Sequence, residues 1–468
     1  MVIIVVALAI RLAVAPFTGH PFDLNVWINT GKYIVEGKSP YDLYNHLGYP
    51  PLWGLWTAFA YWISSLISKS VYLYIFFIKL PIVLADFGVA YYLWKLSAAR
   101  SESHSFQSNT NKWSASLQPS KLGNTLAATY LLSPFTIIIG SVWGMMDNLA
   151  VLLIMLAVFS MFRKGDMLAG IFLGLAISLK LYPLILAPVF LIYLAKERDD
   201  KIKRLVSFSG VLALSTAATS LLPFSIFNWN LSGLEGTMTA QLGRIPGGIS
   251  PLGWLASLND LNVQSIGSFS LSEIMKSTMV REAWIAVILA VYVWLLTRTK
   301  AKDIRAFLTQ LMLVMVTWYL SAPWASEPNV LVFLYLLLLS VALHPALVDK
   351  YLRVYWIVSG IALVFVLFNV PVTSFVWPVY DITFSGELYI HTRALVLLSV
   401  GIAFGLYSGL QCIHLFRSYK DQSNEAFVKR SMHSSSPKIE SIDSHKVELP
   451  GKYQRERNTE FLGVEDNW

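Results

Sequence analysis

The sequence is poor in cysteine and in charge. Cys412 is the single cysteine among 468 residues, which excludes an internal disulfide framework and a cysteine-rich zinc site. Charged residues make up 14% of the chain, against about 25% in an ordinary globular protein. The sequence also shows no phosphate-cradling glycine loop and no soluble nucleotide-binding domain. These absences point away from a soluble enzyme.

Hydrophobic residues, by contrast, make up 55% of the chain, and the mean hydropathy is +0.56. A chain this apolar cannot hide its surface around a water-soluble core, so the bilayer must be its solvent. The fold class predicted is an all-α polytopic membrane protein, with a bundle of about twelve transmembrane helices. The predicted spans are, at about these bounds, 1–17, 71–95, 124–142, 148–162, 166–180, 182–195, 205–223, 283–297, 306–322, 329–344, 354–371 and 394–416.

Two apolar segments near the N-terminus need separate interpretations. The first run lacks a basic start and a small-residue cleavage site, so we expect it to stay as the first span. Segment 50–68 begins with two prolines and is rich in tryptophan, which suits the headgroup level. We interpret 50–68 as a re-entrant or interfacial segment rather than a full span.

The basic residues indicate the orientation. In this topology most of the 36 Lys and Arg residues fall on the side that holds the C-terminal tail. Cytoplasmic loops carry an excess of Lys and Arg, so we predict that both termini are cytoplasmic and that the site is extracytoplasmic. The net charge of +8 then reflects topology, and no nucleic-acid partner is expected. The long outer loops are 18–70, 224–282 and 372–393.

We divide the chain into three regions. Residues 1–195 form a first transmembrane module that includes the outer loop 18–70, and residues 196–417 form a second, variable transmembrane module. Residues 418–468 form a polar, serine-rich tail that we predict to be disordered and cytoplasmic. Basic residues of the tail are expected to lie near anionic membrane lipids.

Asp23 is the most informative polar residue. Apolar residues recur at helical spacing over 23–36, which predicts an amphipathic helix lying along the outer interface. Asp23 stands at its start, where a carboxylate caps free backbone N–H groups. A carboxylate at a membrane surface also suits a base that accepts a proton from a hydroxyl. The residues alone favour the cap, and the two roles are compatible.

Two further residues stand between predicted spans. Asp147 lies in an outward turn, where an acid indicates either a functional site or a cap on the following helix. Lys180 lies at the outer end of a span, where it either neutralises a lipid phosphate or snorkels to the interface. Within one span, Lys79 and Asp86 predict a structural ion pair that includes Arg11.

The later outer loops carry two more candidates. Arg244 lies near a span end, where a guanidinium either binds a phosphate through two hydrogen bonds or is simply solvated. Glu327 lies in the outward turn 321–328 beside Trp324. The acid suits sugar hydroxyls and the indole suits a sugar face, although a plain interfacial turn explains both residues nearly as well.

A series of motifs, taken together, indicates a resemblance to a known family. Glu36-Gly37-Lys38-Ser39-Pro40-Tyr41 is followed by Tyr49-Pro50-Pro51-Leu52, by Asp86, by the turn 143–148 and by Leu179-Lys180-Leu181-Tyr182-Pro183. In order and spacing the chain resembles the GT-C superfamily of integral-membrane glycosyltransferases. Within it, the likeness is to the catalytic subunit of the GPI mannosyltransferase that adds the first mannose, and to related prokaryotic mannosyltransferases. It covers roughly residues 1–195.

The resemblance implies a GT-C-like bundle with interfacial helices in the first outer loop and an inverting transfer. A hexose, with mannose favoured, would pass from a polyprenyl or dolichyl phosphate to a lipid-linked or glycan acceptor. Asp23 would be the catalytic base, and the other roles are as follows. Lys180 and Arg244 would bind the donor phosphate, and Asp147, Glu327, Asn25 and Tyr49 would position the sugar or the acceptor.

The related motif Asp-x-Asp appears here as Asp23-Leu24-Asn25. The missing second acid weakens any metal role, so no metal ligand is assigned and no cofactor other than the lipid donor is expected. A divalent metal requirement and a small membrane partner subunit both stay open.

Two other functions compete with the glycosyltransferase. A polytopic transporter or lipid flippase fits the number of spans, but it predicts internal repeats and binding acids near the midplane. A non-catalytic assembly subunit is the third hypothesis. It predicts that Asp23→Asn leaves the activity of its complex intact.

Overall fold

The computed structural model describes residues 2–43, 47–102, 119–196, 200–299, 303–370, 372–376 and 387–434. Within this part the chain is almost entirely helical, with four two-residue strands. The strands are β1 (Gly247–Gly248), β2 (Ser265–Ile266), β3 (Phe269–Ser270) and β4 (Trp324–Ala325). The helices are α1 (Val2–Val14), α2 (Pro21–Val35), α3 (Pro51–Ile67), α4 (Val71–Glu102), α5 (Pro119–Leu132), α6 (Pro134–Ile137), α7 (Asp147–Phe162), α8 (Asp166–Leu179), α9 (Ala187–Ala195), α10 (Lys201–Phe227), α11 (Leu231–Leu242), α12 (Trp254–Asp260), α13 (Leu271–Lys276), α14 (Thr278–Arg298), α15 (Ile304–Ser321), α16 (Val330–Leu343), α17 (Val348–Asn369) and α18 (Glu387–Ser434).

The membrane-spanning pattern agrees with the sequence. In the described part of the chain, six helices are long and apolar enough to cross a bilayer, and α5 with α6 and the turn after it form one bent pair. Five shorter apolar helices bring these segments to twelve, and each overlaps one predicted span. The predicted all-α polytopic membrane protein is therefore confirmed. α3 is not among the twelve segments; it packs against α2 and α4, and its interfacial depth stays a prediction.

The bent pair positions a turn that matters for the site. The helix axis bends by 49° at Pro134, which lacks the N–H that would continue the α5 hydrogen bonds. A π-helical turn then runs over Ile138–Trp143 and ends at Gly144, whose φ of +90° suits glycine. A Cβ atom at Gly144 would lie 2.7 Å from the Lys79 side chain, so glycine also allows the close approach of α4.

Lys79 of α4 holds this turn through backbone oxygens. Its ammonium group donates to the carbonyl oxygens of Ser141 and Val142, both at 2.9 Å, and to that of Thr18 at 2.6 Å. Carbonyl groups at the end of a helical turn lack intrahelical partners, so the lysine supplies donors that the backbone cannot. The predicted pairing of Lys79 with an acid is therefore wrong.

Asp86 instead lies in a separate buried network. The guanidinium of Arg11 donates to its carboxylate at 2.9 Å, as the sequence suggested. The hydroxyl of Tyr130 and the amide of Asn148 donate to the other carboxylate oxygen. Because a buried charge is tolerated only when it is paired and hydrogen-bonded, this network ties α1, α4, α5 and α7 together.

Residues 1–424 form one compact unit. α10 packs along α8 and α9, across the proposed module boundary at residue 195, and the division into two modules stays a prediction. α18 continues to Ser434, so 418–434 are helical in the structure, and the disorder of the tail stays a prediction. Residues 418–434 contain neither glycine nor proline and include good helix formers. Residues 435–468 lie outside the described residues.

Candidate functional site

A cavity of about 430 Å³ lies where several helices end. Its wall combines the loop before α3, the break between α8 and α9, the end of α11, and residues near the junction of α15 with α16. Tyr49, Lys180 and Arg244, which the sequence analysis singled out, line it together with Trp284, Trp318 and Trp324. We call this space the aromatic cavity.

Lys180 lines the aromatic cavity and forms an ion pair with an acid. Its ammonium group lies 2.7 Å from the Asp147 carboxylate, and the lysine is only 4% exposed while the aspartate is fully buried. α8 ends at Leu179, and Lys180 adopts an extended conformation before the proline-containing turn that follows. The pair is electrically neutral, so Lys180 supplies directed N–H donors more than net charge.

Asp147 itself is the first residue of α7 and not its N-cap, a position that Met146 occupies. A carboxylate in the first turn is stabilised by the positive end of the helix dipole. Its second oxygen is buried and has no hydrogen-bond partner within the described part of the chain. Asp147 does not line the cavity, and it fixes the position of Lys180 from behind the cavity wall.

The Tyr49 ring also contacts Lys180. The ammonium group lies 5.5 Å from the Tyr49 ring centroid, a cation–π distance, and the Tyr41 hydroxyl donates to the Tyr49 carbonyl at 2.9 Å. Burial raises the pKa of the Tyr49 hydroxyl, although the charge on Lys180 opposes the shift. The hydroxyl therefore stays protonated at neutral pH and can donate a hydrogen bond.

Arg244 reaches the cavity because two segments that are distant in sequence pair. β1 and β4 form a parallel pair in which Gly247 lies opposite Trp324. The Arg244 guanidinium carbon then lies 5.0 Å from the Trp324 ring centroid. Among the described residues, no carboxylate lies within ion-pair distance of Arg244. Its charge is thus less compensated than that of Lys180.

Asp23 belongs to a cluster beside the aromatic cavity, near enough for its charge to act on Tyr49 and Lys180. It belongs to the first turn of α2, and its carboxylate accepts a hydrogen bond of 2.8 Å from the Trp143 indole. His20 lies 3.2 Å from the same oxygen and stacks on the Trp143 ring at 4.6 Å. The Asp23 side chain is 16% exposed and is not among the residues that line the aromatic cavity.

The cap of α2 is His20, so the prediction of Asp23 as N-cap is wrong. The His20 ring accepts from the Asp23 backbone N–H, and Pro21 stands at the first helical position, where its missing N–H costs nothing. Burial lowers the pKa of His20, although the nearby Asp23 charge opposes this. The ring is therefore neutral at pH 7, as a cap that accepts a hydrogen bond requires.

Glu327 belongs to a buried polar chain. It is 3% exposed and accepts from the Asn369 amide at 2.8 Å. The Asn369 side-chain oxygen accepts from Arg393 at 2.8 Å, and Arg393 also reaches Asp260 at 3.3 Å. This chain joins the ends of α17 and α18 to α12. Glu327 does not line the aromatic cavity, although its neighbours Ser326 and Asn329 do.

The structure thus brings together only part of the predicted set. Tyr49, Lys180 and Arg244 line one cavity, and Asp147 forms an ion pair with Lys180 from outside the cavity lining. Asn25, half-buried in α2, lines no part of it. Sequence reasoning missed Gln241 and Asn329, which carry no recognisable motif. Trp284 and Trp318 were also missed, although tryptophan near span ends is a known interfacial signal.

The described residues contain no group of three or more His, Cys, Asp or Glu side chains arranged to hold a metal ion. Fold and site together define an integral, multi-pass, all-α membrane protein with an aromatic and cationic cavity at its helix ends. Residues 31–242 of this chain match the family model for the GPI transamidase subunit PIG-U. The match covers a little under half of the sequence.

This match corrects the function expected from the sequence. The chain is not supported as a hexosyltransferase, because the matching family is a transamidase subunit and not a sugar transferase. The sugar donor and acceptor lose their support as partners, and so does the alternative of a transporter or flippase. The GT-C resemblance is confirmed only as far as a polytopic helical membrane protein. Physically, the expected Asp-x-Asp pair lacks its second acid, and Asp23 is engaged by Trp143 and His20.

Proposed function

We propose that this chain is a membrane subunit of a GPI transamidase complex, the machinery that attaches glycosylphosphatidylinositol lipids to proteins. In this proposal the chain binds the lipid anchor and performs no sugar transfer. The match of residues 31–242 to the family model carries the proposal. Other subunits of that complex are then its membrane partners, and the endoplasmic reticulum is its membrane.

The position of the matched segment supports a binding role. It runs from within α2 to the end of α11, and it contributes the part of the aromatic cavity formed by Tyr49, Lys180 and Gln241. The rest of the wall, which includes Arg244 and Trp318, follows the matched segment in sequence. The matched segment therefore supplies about half of the residues that line the cavity, which supports the cavity as the place where the family's ligand binds.

The chemistry of the cavity suits a phosphoinositide glycan. A GPI headgroup carries a phosphodiester next to inositol and sugars. Arg244 offers two parallel N–H donors for phosphate oxygens, and Lys180 adds a compact donor that Asp147 keeps aimed. Trp318 and Trp324 offer flat faces to sugar rings, and the protonated Tyr49 hydroxyl offers a donor.

The remaining predicted residues receive supporting roles in this proposal. Asp23 and its partner Trp143 secure the junction between α2 and the π-helical turn, with Asn25 on the same helix. Glu327 anchors the segment that carries Asn329. We keep the GT-C-like scaffold, the module boundary at residue 195, cytoplasmic termini and an extracytoplasmic cavity as parts of the same proposal.

The test uses cells in which the gene for this chain is deleted and a secreted reporter carries a C-terminal GPI-attachment signal. Such a signal ends in a hydrophobic tail that is removed when the anchor is added. Without the chain we expect an uncleaved reporter that retains its tail, and the wild-type chain should restore cleavage and lipid attachment. The tagged chain should also purify in mild detergent together with transamidase activity. Normal anchoring of the reporter in the deleted cells would refute the proposal.

A further inference from the structure

A second cavity, of about 410 Å³, lies between α9 and α14, and we call it the lateral groove. Its lining is entirely apolar or aromatic, with Leu191 and Pro188 on the α9 side and Ile285, Ile288 and Leu289 on the α14 side. Ile285 and Leu289 are exposed on the outer surface of α14. In a membrane protein, such a surface faces hydrocarbon or a partner.

The lateral groove adjoins the aromatic cavity. Leu184, Ile185 and Trp284 line both spaces. The Tyr292 hydroxyl donates to the Ile185 carbonyl, which ties α14 to the segment that separates α8 from α9. A polar, cationic cavity and an apolar groove therefore lie side by side, separated by only a few shared residues.

The length of the lateral groove matches one leaflet. Its α14 wall runs from Trp284 to Tyr292, which is about 12 Å at 1.5 Å per residue. Half of a typical hydrocarbon core is about 15 Å. A chain that starts at the aromatic cavity would therefore follow the groove through most of one leaflet.

The aromatic cavity contains polar groups whose hydrogen-bonding or charge-pairing capacity no described residue uses. The side-chain oxygen of Asn329 is buried, lines the aromatic cavity and has no hydrogen-bond partner in the described part of the chain. Arg244 lines the same cavity without a described acidic partner. Burying an unpaired polar group is costly, so a polar ligand with hydroxyl and phosphate groups fits this cavity.

We infer that the aromatic cavity and the lateral groove bind one inositol phospholipid, with its phosphodiester headgroup in the cavity and one acyl chain between α9 and α14. The lipid would reach the site sideways from the bilayer. This inference rests on the proposed function, which supplies the lipid class, and it adds the route and the chain-binding helices.

A partner transmembrane helix is the other occupant to consider, and the adjoining cationic cavity argues against it. A helix with its side chains is about 10 Å across. A single hydrocarbon chain is several times thinner. An apolar helix also carries no group that would bind in the cationic cavity next to the groove.

The test uses the purified full-length chain in lipid nanodiscs that contain a trace of phosphatidylinositol with a photoreactive diazirine on one acyl chain. Crosslinked positions are mapped by mass spectrometry. We expect crosslinks on α9 and α14 to exceed those on α10, whose exposed surface reports ordinary surrounding lipid. The same diazirine chain on phosphatidylcholine should label the groove several-fold less.

Matched pairs of tryptophan variants test the groove: one variant of each pair fills it and the other lies outside it. Ile285 and Val287 are 43% and 42% exposed on the same helix, but only Ile285 lines the groove. Ile285→Trp should reduce groove labelling several-fold, and Val287→Trp should not change it. Leu289→Trp and Val293→Trp form a second pair of the same kind, in case one variant does not fold.

Three results would overturn the inference. They are equal labelling of α9, α14 and α10, equal labelling by the two lipids, and no effect of either groove-filling variant in folded protein. Each of these would leave the reporter assay in deleted cells intact, so the subunit proposal would survive. Conversely, selective labelling with normal reporter anchoring would keep the lipid site and refute the subunit proposal.

Discussion

The Asp23 cluster and the aromatic cavity look alike in sequence but differ in what their polar groups do. In the cluster, the carboxylate accepts from Trp143 and lies against His20, so its hydrogen bonds serve the fold. In the cavity, the buried side-chain oxygen of Asn329 has no hydrogen-bond partner among the described residues, and Arg244 has no described carboxylate within ion-pair distance. The lesson is that a polar residue near a helix end indicates a binding site only when its unused hydrogen-bonding capacity faces a cavity.

The largest expected effect concerns the support of the Asp23 cluster. Lys79→Met removes the donor shared by the carbonyl groups of Ser141, Val142 and Thr18. Leaving buried acceptors unsatisfied costs about 1–3 kcal/mol each, so we expect roughly 3 kcal/mol of lost stability after partial rewetting. The measurement is thermal unfolding in detergent, with the exposed Lys69→Met as control. Equal stability of the two variants would show that Lys79 does not hold the turn.

The next effect concerns the cavity and separates binding from folding. Arg244→Gln removes a guanidinium that is proposed to bind phosphate, and a hydrogen bond to a charged group contributes about 1.5–3 kcal/mol. We expect phosphatidylinositol labelling in nanodiscs to fall roughly tenfold or more, with an unchanged unfolding temperature. Lys276→Gln, an exposed change on a neighbouring helix, is the control. Unchanged labelling by Arg244→Gln would remove the arginine from the site.

A smaller effect is expected for the indole that binds Asp23. Trp143→Phe keeps most of the aromatic stacking on His20 but loses the N–H donor to the carboxylate. Because Asp23 is partly exposed, we expect a loss of about 1 kcal/mol in unfolding free energy and little change in lipid labelling. Trp62→Phe, at an exposed position on α3, provides the comparison. If Trp143→Phe reduced lipid labelling several-fold while the unfolding free energy fell by only about 1 kcal/mol, the cluster would be part of the ligand site.

The smallest effect is expected for the acid itself. Asp23→Asn keeps an oxygen that accepts from Trp143, so stability and reporter anchoring should both stay near wild type. This is the outcome that distinguishes a supporting acid from a catalytic base. If anchoring were abolished while the protein remained folded and its complex assembled, Asp23 would have a chemical role.

Much of the fold could be predicted because hydropathy is a local signal. Each predicted span corresponds to an apolar helix, including the bent one at Pro134. The meeting of Lys180 with Asp147 and of Arg244 with Trp324 could not be predicted, since it depends on helix packing and on the pairing of β1 with β4. The tail is predicted to be disordered from its polarity, which stays a prediction, and the helix α18 extends into it as far as Ser434 because 418–434 lacks helix breakers.

The function was harder to predict for a different reason. The motifs that resemble glycosyltransferases fall at helix ends and turns, where their first task is to shape the scaffold. Pro21 sets the start of α2 and leaves His20 as its cap, which gives Asp23 a structural role that sequence order alone does not reveal. A scaffold and its chemistry are separable, so likeness in the first does not establish the second.

The most direct test of the central claim compares the glycolipids of deleted cells with those of wild-type cells by mass spectrometry. A binding subunit of the transamidase acts after the lipid is built, so the account predicts that complete, fully mannosylated GPI lipid accumulates unattached. Accumulation of a GPI precursor that lacks mannose would contradict the account and would return the chain to sugar transfer.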